Sequence, residues 1–232
     1  MFRFKQFEVG DEACAMKVGT DGVLLGAWVD VASDKDILDV GTGSGLVALM
    51  VAQRNSEAAI TALDIEAGAV RQAMANVACS PWSKRISVIE GDVRCFTSEK
   101  QFDHIISNPP YFADALLSPD VARSMARHTS SLSFEELVAS AVRLLSAEGR
   151  LSVVLPADGA AAFRRVAFGY LHLTRLMDVA TREDDAPKRT LMEFRLTNAT
   201  PMPRCERMSI HAVDGAYTEQ YRRLTEEFYL KF

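Results

Sequence analysis

Residues 37–54 place the tightest constraint on what this chain can fold into. Ile37-Leu38-Asp39-Val40 is a short apolar run of strand type. Gly41-Thr42-Gly43-Ser44-Gly45 is a turn with glycine at every second position, and residues 46–54 follow with helical character. Strand, glycine turn and helix open a βαβ unit in which the backbone can approach a ligand closely and the helix N-terminus offers unpaired N–H donors. An ordinary tight βα turn needs no ligand, so the turn by itself leaves both readings open. The residues downstream keep the same rhythm. Residues 59–64 read as a strand and 66–78 as a helix with Val70, Met74 and Val77 on one face. Residues 86–90 and 102–107 read as strands three and four. A helix over 133–145, opened by a capping box of Ser133 and Glu136, leads to a strand at 150–155. Such alternation predicts a parallel sheet covered on both faces. The tail departs from it. Residues 171–180 and 190–197 read as two strands joined by the charged loop 181–189, a hairpin that pairs antiparallel at one edge. A strand near 208–213 and a helix from Thr218 end the chain.

Composition excludes several classes. With 232 residues, 48% hydrophobic and 25% charged, the chain is neither disordered nor a fibre, and it is sized for one domain. No apolar run approaches the ~20 residues that cross a bilayer, and residues 1–17 carry no apolar segment of a signal peptide. The cysteines, Cys14, Cys79, Cys95 and Cys205, form no C-x-x-C pair and have no His at metal-ligand spacing. No metal is expected, and a reducing cytoplasm suits them. His104, His128, His172 and His211 stand singly and no Ser/His/Asp arrangement is legible; Met74, Met177 and Met192 suit core positions. Net charge is −5, unlike a DNA-coating protein. The acidic excess sits in the first half, and ten basic residues lie between Arg123 and Arg189, which permits one polyanion-facing surface. A solvated mixed surface would look the same, above all for Arg164-Arg165.

Two carboxylates sharpen the glycine turn. Asp64 ends the second strand about 20 residues on, where nucleotide folds hold a ribose; Asp92, after the third strand, sits where a further ligand contact would fall. A lone Asp after a strand is usually a cap or turn residue; the series along successive strand ends is harder to explain so. The fourth strand ends in Ser107-Asn108-Pro109-Pro110-Tyr111. Two prolines stop the strand and force a rigid extended turn. The carbonyls there and the Asn108 amide oxygen can accept the two hydrogens of a planar NH2 group, and the Tyr111 ring can stack a flat base.

The D-V-G-T-G-S-G, Asp64 and N-P-P-Y set resembles the class I S-adenosylmethionine-dependent methyltransferases that modify an exocyclic or amide nitrogen. The segment Lys17-Val18-Gly19-Thr20-Asp21-Gly22-Val23-Leu24-Leu25-Gly26-Ala27-Trp28, with Arg127-His128, Lys188-Arg189-Thr190 and the tail 217–232, is similar to the bacterial tRNA1(Val) adenine-N6 methyltransferases, and the likeness runs nearly end to end. It implies an α/β Rossmann-like class I methyltransferase fold, a seven-stranded sheet of order 3-2-1-4-5-7-6 with strand 7 antiparallel. It implies one methyltransferase domain over 1–232, with a flank at 1–35, a core at 36–200 and a C-terminal strand and helix at 201–232. The activity it implies is methyl transfer from S-adenosyl-L-methionine to N6 of adenine 37, beside the anticodon, by a cytoplasmic monomer with no membrane contact. By the same resemblance Asp39, Gly41, Gly43, Gly45, Asp64, Asp92 and Asn108 hold the donor. Asn108, Pro109 and Tyr111 are catalytic, and Lys17, Thr20, Asp21, Arg127, His128, Lys188 and Arg189 meet tRNA. Rival readings are an N-P-P-Y enzyme acting on protein glutamine, DNA adenine or ribosomal RNA, a nicotinamide-dependent oxidoreductase, and a non-catalytic RNA-binding domain. The oxidoreductase would have no use for N-P-P-Y and wants a Tyr/Lys or His that cannot be placed.

Overall fold

A computed structural model describes residues 1–14, 16–109, 132–196 and 202–231. Strands β1 (Phe2–Arg3) and β2 (Glu8–Val9) form a small antiparallel pair ahead of α1 (Thr20–Trp28). The alternating body runs β3 (Asp36–Val40), α2 (Leu46–Arg54), β4 (Ala59–Asp64), α3 (Ala67–Ala78), β5 (Ile86–Glu90) and β6 (Phe102–Ser107). Then follow α4 (Phe134–Leu144), β7 (Leu145–Pro156), α5 (Ala157–Ala167), β8 (His172–Arg182), β9 (Pro187–Arg195), β10 (Arg204–His211) and α6 (Glu219–Thr225). The main sheet has the order β10-β8-β9-β7-β6-β3-β4-β5. Only β9 runs against its neighbours. The expected order 3-2-1-4-5-7-6 with an antiparallel seventh strand is therefore present as β5-β4-β3-β6-β7-β9-β8.

An eighth strand corrects the reading of the edge. The β8–β9 hairpin does not end the sheet, because β10 pairs parallel to β8 over Arg204↔Arg175 to His211↔Arg182. The hairpin strands also run further than expected, leaving only residues 183–186 between them. Paired strands supply hydrogen bonds that carry polar residues such as Arg182 and Lys188 into the ladder.

The central strands β3 and β6 are buried on both faces, so their side chains alternate between two cores. Ile37 meets the layer of α1, α2 and the C-terminal segment, whereas Leu38 and Val40 meet the layer of α4 and α5. Helix α1 was not legible because TDGVLLGAW is buried from Gly22 to Trp28, leaving no polar stripe to mark a helical period. Helix α5 was also missed, although its buried face, Gly159, Ala160, Phe163 and Ala167, follows helical spacing. Met74 is corrected: the buried face of α3 is Ala69, Val70, Ala73, Asn76 and Val77, and Met74, at the margin of that face, is 48% exposed. Met177 and Met192 are buried as expected. The capping box is present, Ser133 Oγ accepting from Glu136 N and Glu136 Oε2 from Ser133 N. Helix α4 then passes into β7 without a loop, five residues before the strand was expected.

Candidate active site

The register of the parallel strands builds the site. Val40 is paired with Leu63 on one side and with Ser107 on the other. The next residues along, Gly41, Asp64 and Asn108, therefore lie in one row at the carboxyl ends of three adjacent strands, roughly 4.8 Å apart per strand. Asp64 is in turn level with Glu90, which puts Asp92 just beyond the row on β5. In open α/β sheets this end, where strand order reverses, is where ligands bind.

The glycine turn combines positive φ angles with hydrogen bonds to the neighbouring strand. Gly41, Gly43 and Gly45 have φ of 70°, 57° and 80°. The N–H groups of Gly41 and Thr42 both donate to Leu63 O, at 2.9 and 3.1 Å, bending the chain over β4. A Cβ on Gly41 or Gly43 would meet nothing within 4 Å, so the turn faces an open cradle; one on Gly45 would stand 3.4 Å from Ala73 Cβ, where the turn meets α3. Asp64 closes the other side. Its Oδ2 accepts from Gly43 N at 2.8 Å and its Oδ1 from Glu66 N at 3.0 Å. Each carboxylate oxygen keeps a lone pair for a further donor such as a ribose hydroxyl. Behind the turn, Asp39 Oδ2 accepts from Thr42 Oγ1 at 2.6 Å and from Ala48 N at 3.2 Å. Burial pushes its carboxyl up to about 7, against the pull of those two donors.

At the end of β6, Ser107 Oγ donates to Val40 O at 2.9 Å, tying this strand end to the glycine turn. Pro109 is buried; Asn108 is half-buried and its Nδ2 reaches Met16 Sδ at 3.5 Å. Tyr111, Arg127 and His128 lie outside the described residues.

Other expected site residues are engaged within the protein. Asp92 is gripped by Arg94, whose Nε lies 2.9 and 2.8 Å from its two oxygens while Nη1 reaches Glu136 at 3.3 Å; this pairing holds the Asp92 carboxyl below its usual range. Asp21 and Arg189 form an ion pair with each other. Lys17 donates to the carbonyls of Asp11 at 2.7 Å and Glu12 at 3.2 Å, closing the loop that carries Met16. Thr20 opens α1 on the same side, and Lys188 is exposed one residue from Arg189.

Met16, Arg94 and Asn76 were missed. Asn76 joins Gly10 to the carbonyl of Ser44 across 66 and 32 residues, contacts that no local spacing announces. A Ser/His/Asp series does exist: Asp34 Oδ2 is 2.9 Å from His104 Nδ1, and His104 Nε2 2.8 Å from Ser152 Oγ. It lies at the amino ends of the strands with His104 and Ser152 fully buried, so no substrate reaches the hydroxyl.

Among the described residues no helix is long and apolar enough to cross a membrane, and no group of His, Cys, Asp or Glu could hold a metal ion.

Comparison with known proteins agrees with this geometry. The family described as Methyltransferase small domain matches residues 15–166. A tRNA1(Val) (adenine(37)-N6)-methyltransferase of Phocaeicola vulgatus is 50% identical over 232 residues, covering 99% of this chain and 97% of the relative. One of Bacteroides thetaiotaomicron is 47% identical with the same coverage. Among solved structures, a predicted O-methyltransferase of Agrobacterium tumefaciens superposes with TM-score 0.69 at 21% identity, covering 90% of this chain and 96% of that one. A glycopeptide N-methyltransferase bound to S-adenosyl-L-homocysteine superposes with TM-score 0.56 at 12% identity, covering 78% and 92%; both likenesses concern the fold. The open glycine cradle and the spare acceptors of Asp64 suit S-adenosyl-L-methionine, and with half the residues shared end to end the chain belongs to the tRNA1(Val) (adenine(37)-N6)-methyltransferase family.

Proposed function

We propose that this protein transfers the methyl group of S-adenosyl-L-methionine to N6 of adenine 37 in tRNA1(Val). What carries the reading is the row of Gly41, Asp64 and Asn108 on adjacent strand ends, in a chain half identical to relatives of that name. When bound, S-adenosyl-L-methionine supplies an electrophilic methyl group on a sulfonium. Gly41, Gly43 and Gly45 form the turn that admits it, Asp64 takes its ribose hydroxyls, Asp39 supports the turn from behind, and Asp92 borders the site beyond β5. Adenine N6 is a weak nucleophile because its lone pair is delocalised into the ring. Asn108 and the Pro109 carbonyl accept the two N6 hydrogens, favouring a pyramidal nitrogen whose lone pair faces the methyl carbon. Tyr111 stacks the base, which an anticodon loop can present unpaired. Lys17, Thr20, Asp21, Arg127, His128, Lys188 and Arg189 belong to the side from which tRNA approaches. The reading takes residues 1–232 as one domain, working as a monomer in the cytoplasm.

The test is a methylation assay with labelled donor on tRNA1(Val) and on the same tRNA with guanine at position 37. Label should appear as N6-methyladenosine in the first and vanish in the second. Asn108→Ala should lower kcat by ~10²–10³ while S-adenosyl-L-homocysteine affinity stays near wild type. Faster labelling of a glutamine peptide or of duplex DNA would reassign the substrate.

A further inference from the structure

The far end of the sheet carries a second surface that the methyl-transfer site does not use. Where α5 turns into β8, a hollow of about 450 Å³ opens between the helix and the hairpin. Its floor is apolar, built from Leu171, Leu173 and Phe194. Arg164 and Arg165 stand at its rim, both exposed, and among the described residues neither has a carboxylate partner. Phe168, also on the rim, is 84% exposed, and Tyr170 two residues on is 65% exposed. Rings left in water beside unpaired guanidinium groups mark a contact surface rather than a packing remainder. The volume is within the range of small-molecule sites, and no acidic residue lines it.

We propose that this hollow is a second RNA contact, taking an unpaired nucleotide of the tRNA substrate that lies outside the anticodon hairpin. The proposal rests on the tRNA reading above. Arg164 and Arg165 meet phosphate, and the base lies over Phe168 and the apolar floor, the pairing of charge and stacking by which single strands are held. Position decides which part of the RNA this is. Helix α5 runs back from the carboxyl end of β7 for eleven residues, about 16 Å. The hollow also stands three strands across from β6, roughly 14 Å. With adenine 37 at Asn108, a nucleotide some 20 Å away is beyond the anticodon loop, and the duplex stem between them keeps its bases stacked inside.

Binding and methylation are measured for full-length tRNA1(Val) and for its anticodon hairpin alone. The variants are Arg164→Ala/Arg165→Ala and Phe168→Ala. The arginine pair should bind full-length tRNA about tenfold more weakly, with a log–log salt slope flatter by roughly 2. Phe168→Ala should weaken it about five- to tenfold. Hairpin binding, hairpin methylation and S-adenosyl-L-homocysteine affinity should not change. Equal effects on both RNAs, or none on either, would overturn the proposal. So would a loss confined to melting temperature, since both arginines also suit the C-terminal dipole of α5. Binding is read without turnover, so an error in the methylated nucleoside would show separately, as wild-type label at another position.

Discussion

Asp39 holds an unusual position for a carboxylate. It is enclosed behind the glycine turn, satisfied by one hydroxyl and one backbone N–H, and among the described residues no cation stands beside it. Its proton affinity, raised to about 7 by burial, gives a pH dependence whose sign follows directly. A folded-state value above the unfolded one means that the protonated form is favoured by folding. The contribution is complete below about pH 4 and is lost as pH rises through 7, amounting to about 4 kcal/mol at most. The ligand-free protein should therefore melt lower at pH 8 than at pH 6, and Asp39→Asn should remove most of that difference. Donor binding should run the other way. On the donor site proposed above, the ammonium group of S-adenosyl-L-methionine should favour ionised Asp39, so affinity should rise from pH 6 to 8, and calorimetry should detect proton release near pH 6. A flat affinity profile in wild type would show that Asp39 does not sense the donor.

The loop that joins β2 to α1 shows how an element can reassign a residue. Lys17 is an exposed cation opening the segment 17–28, and by the family resemblance it reads as a phosphate contact. In the fold its ammonium group closes on the carbonyls of residues 11 and 12, and Asp11 Oδ2 accepts from Val18 N at 2.8 Å. The loop so held sets Met16 against Asn108. Lys17→Ala should loosen it and weaken S-adenosyl-L-homocysteine binding about fivefold, the worth of roughly one net hydrogen bond. The tRNA salt slope should stay as in wild type. A slope flatter by roughly 1 with unchanged cofactor affinity would restore the phosphate reading. At Arg189 the same distinction applies: its partner is Asp21, so the pair orients the end of β9 against α1.

At the scale of the whole molecule, the buried group of Asp34, His104, Arg150 and Ser152 ties the loop before β3 to β6 and β7. Arg150 Nη2 lies 2.6 Å from Asp34 Oδ1 and 2.8 Å from Asp30 O. Burial pushes the Asp34 carboxyl up, but His104 and Arg150 outweigh it and hold it below the ordinary range. A depressed value gives stability that is present above the unfolded pKa and lost as pH falls through the folded one. Wild type should thus lose stability below about pH 4. Asp34→Ala should cost about 3–5 kcal/mol at pH 7 by stranding Arg150, and its denaturation midpoint should change less with acid. An identical acid profile in the variant would place the acid sensitivity elsewhere. What the amino-acid sequence determined by itself was local: glycine spacing dictates a turn with left-handed angles, two prolines stop β6, and Ser133 with Glu136 starts α4. Apolar strand runs alternating with helical stretches dictate the parallel body, so most of the site row is legible in the sequence. The tertiary structure decided what neighbours in space contribute. That β10 extends the sheet beyond β8, that Arg94 reaches Glu136, and that Met16 lies on Asn108 depend on residues far apart along the chain meeting through packing. Asp34, His104 and Ser152 carry no shared local signal, because a buried polar network is specified by mutual satisfaction across strands, not by spacing along the chain.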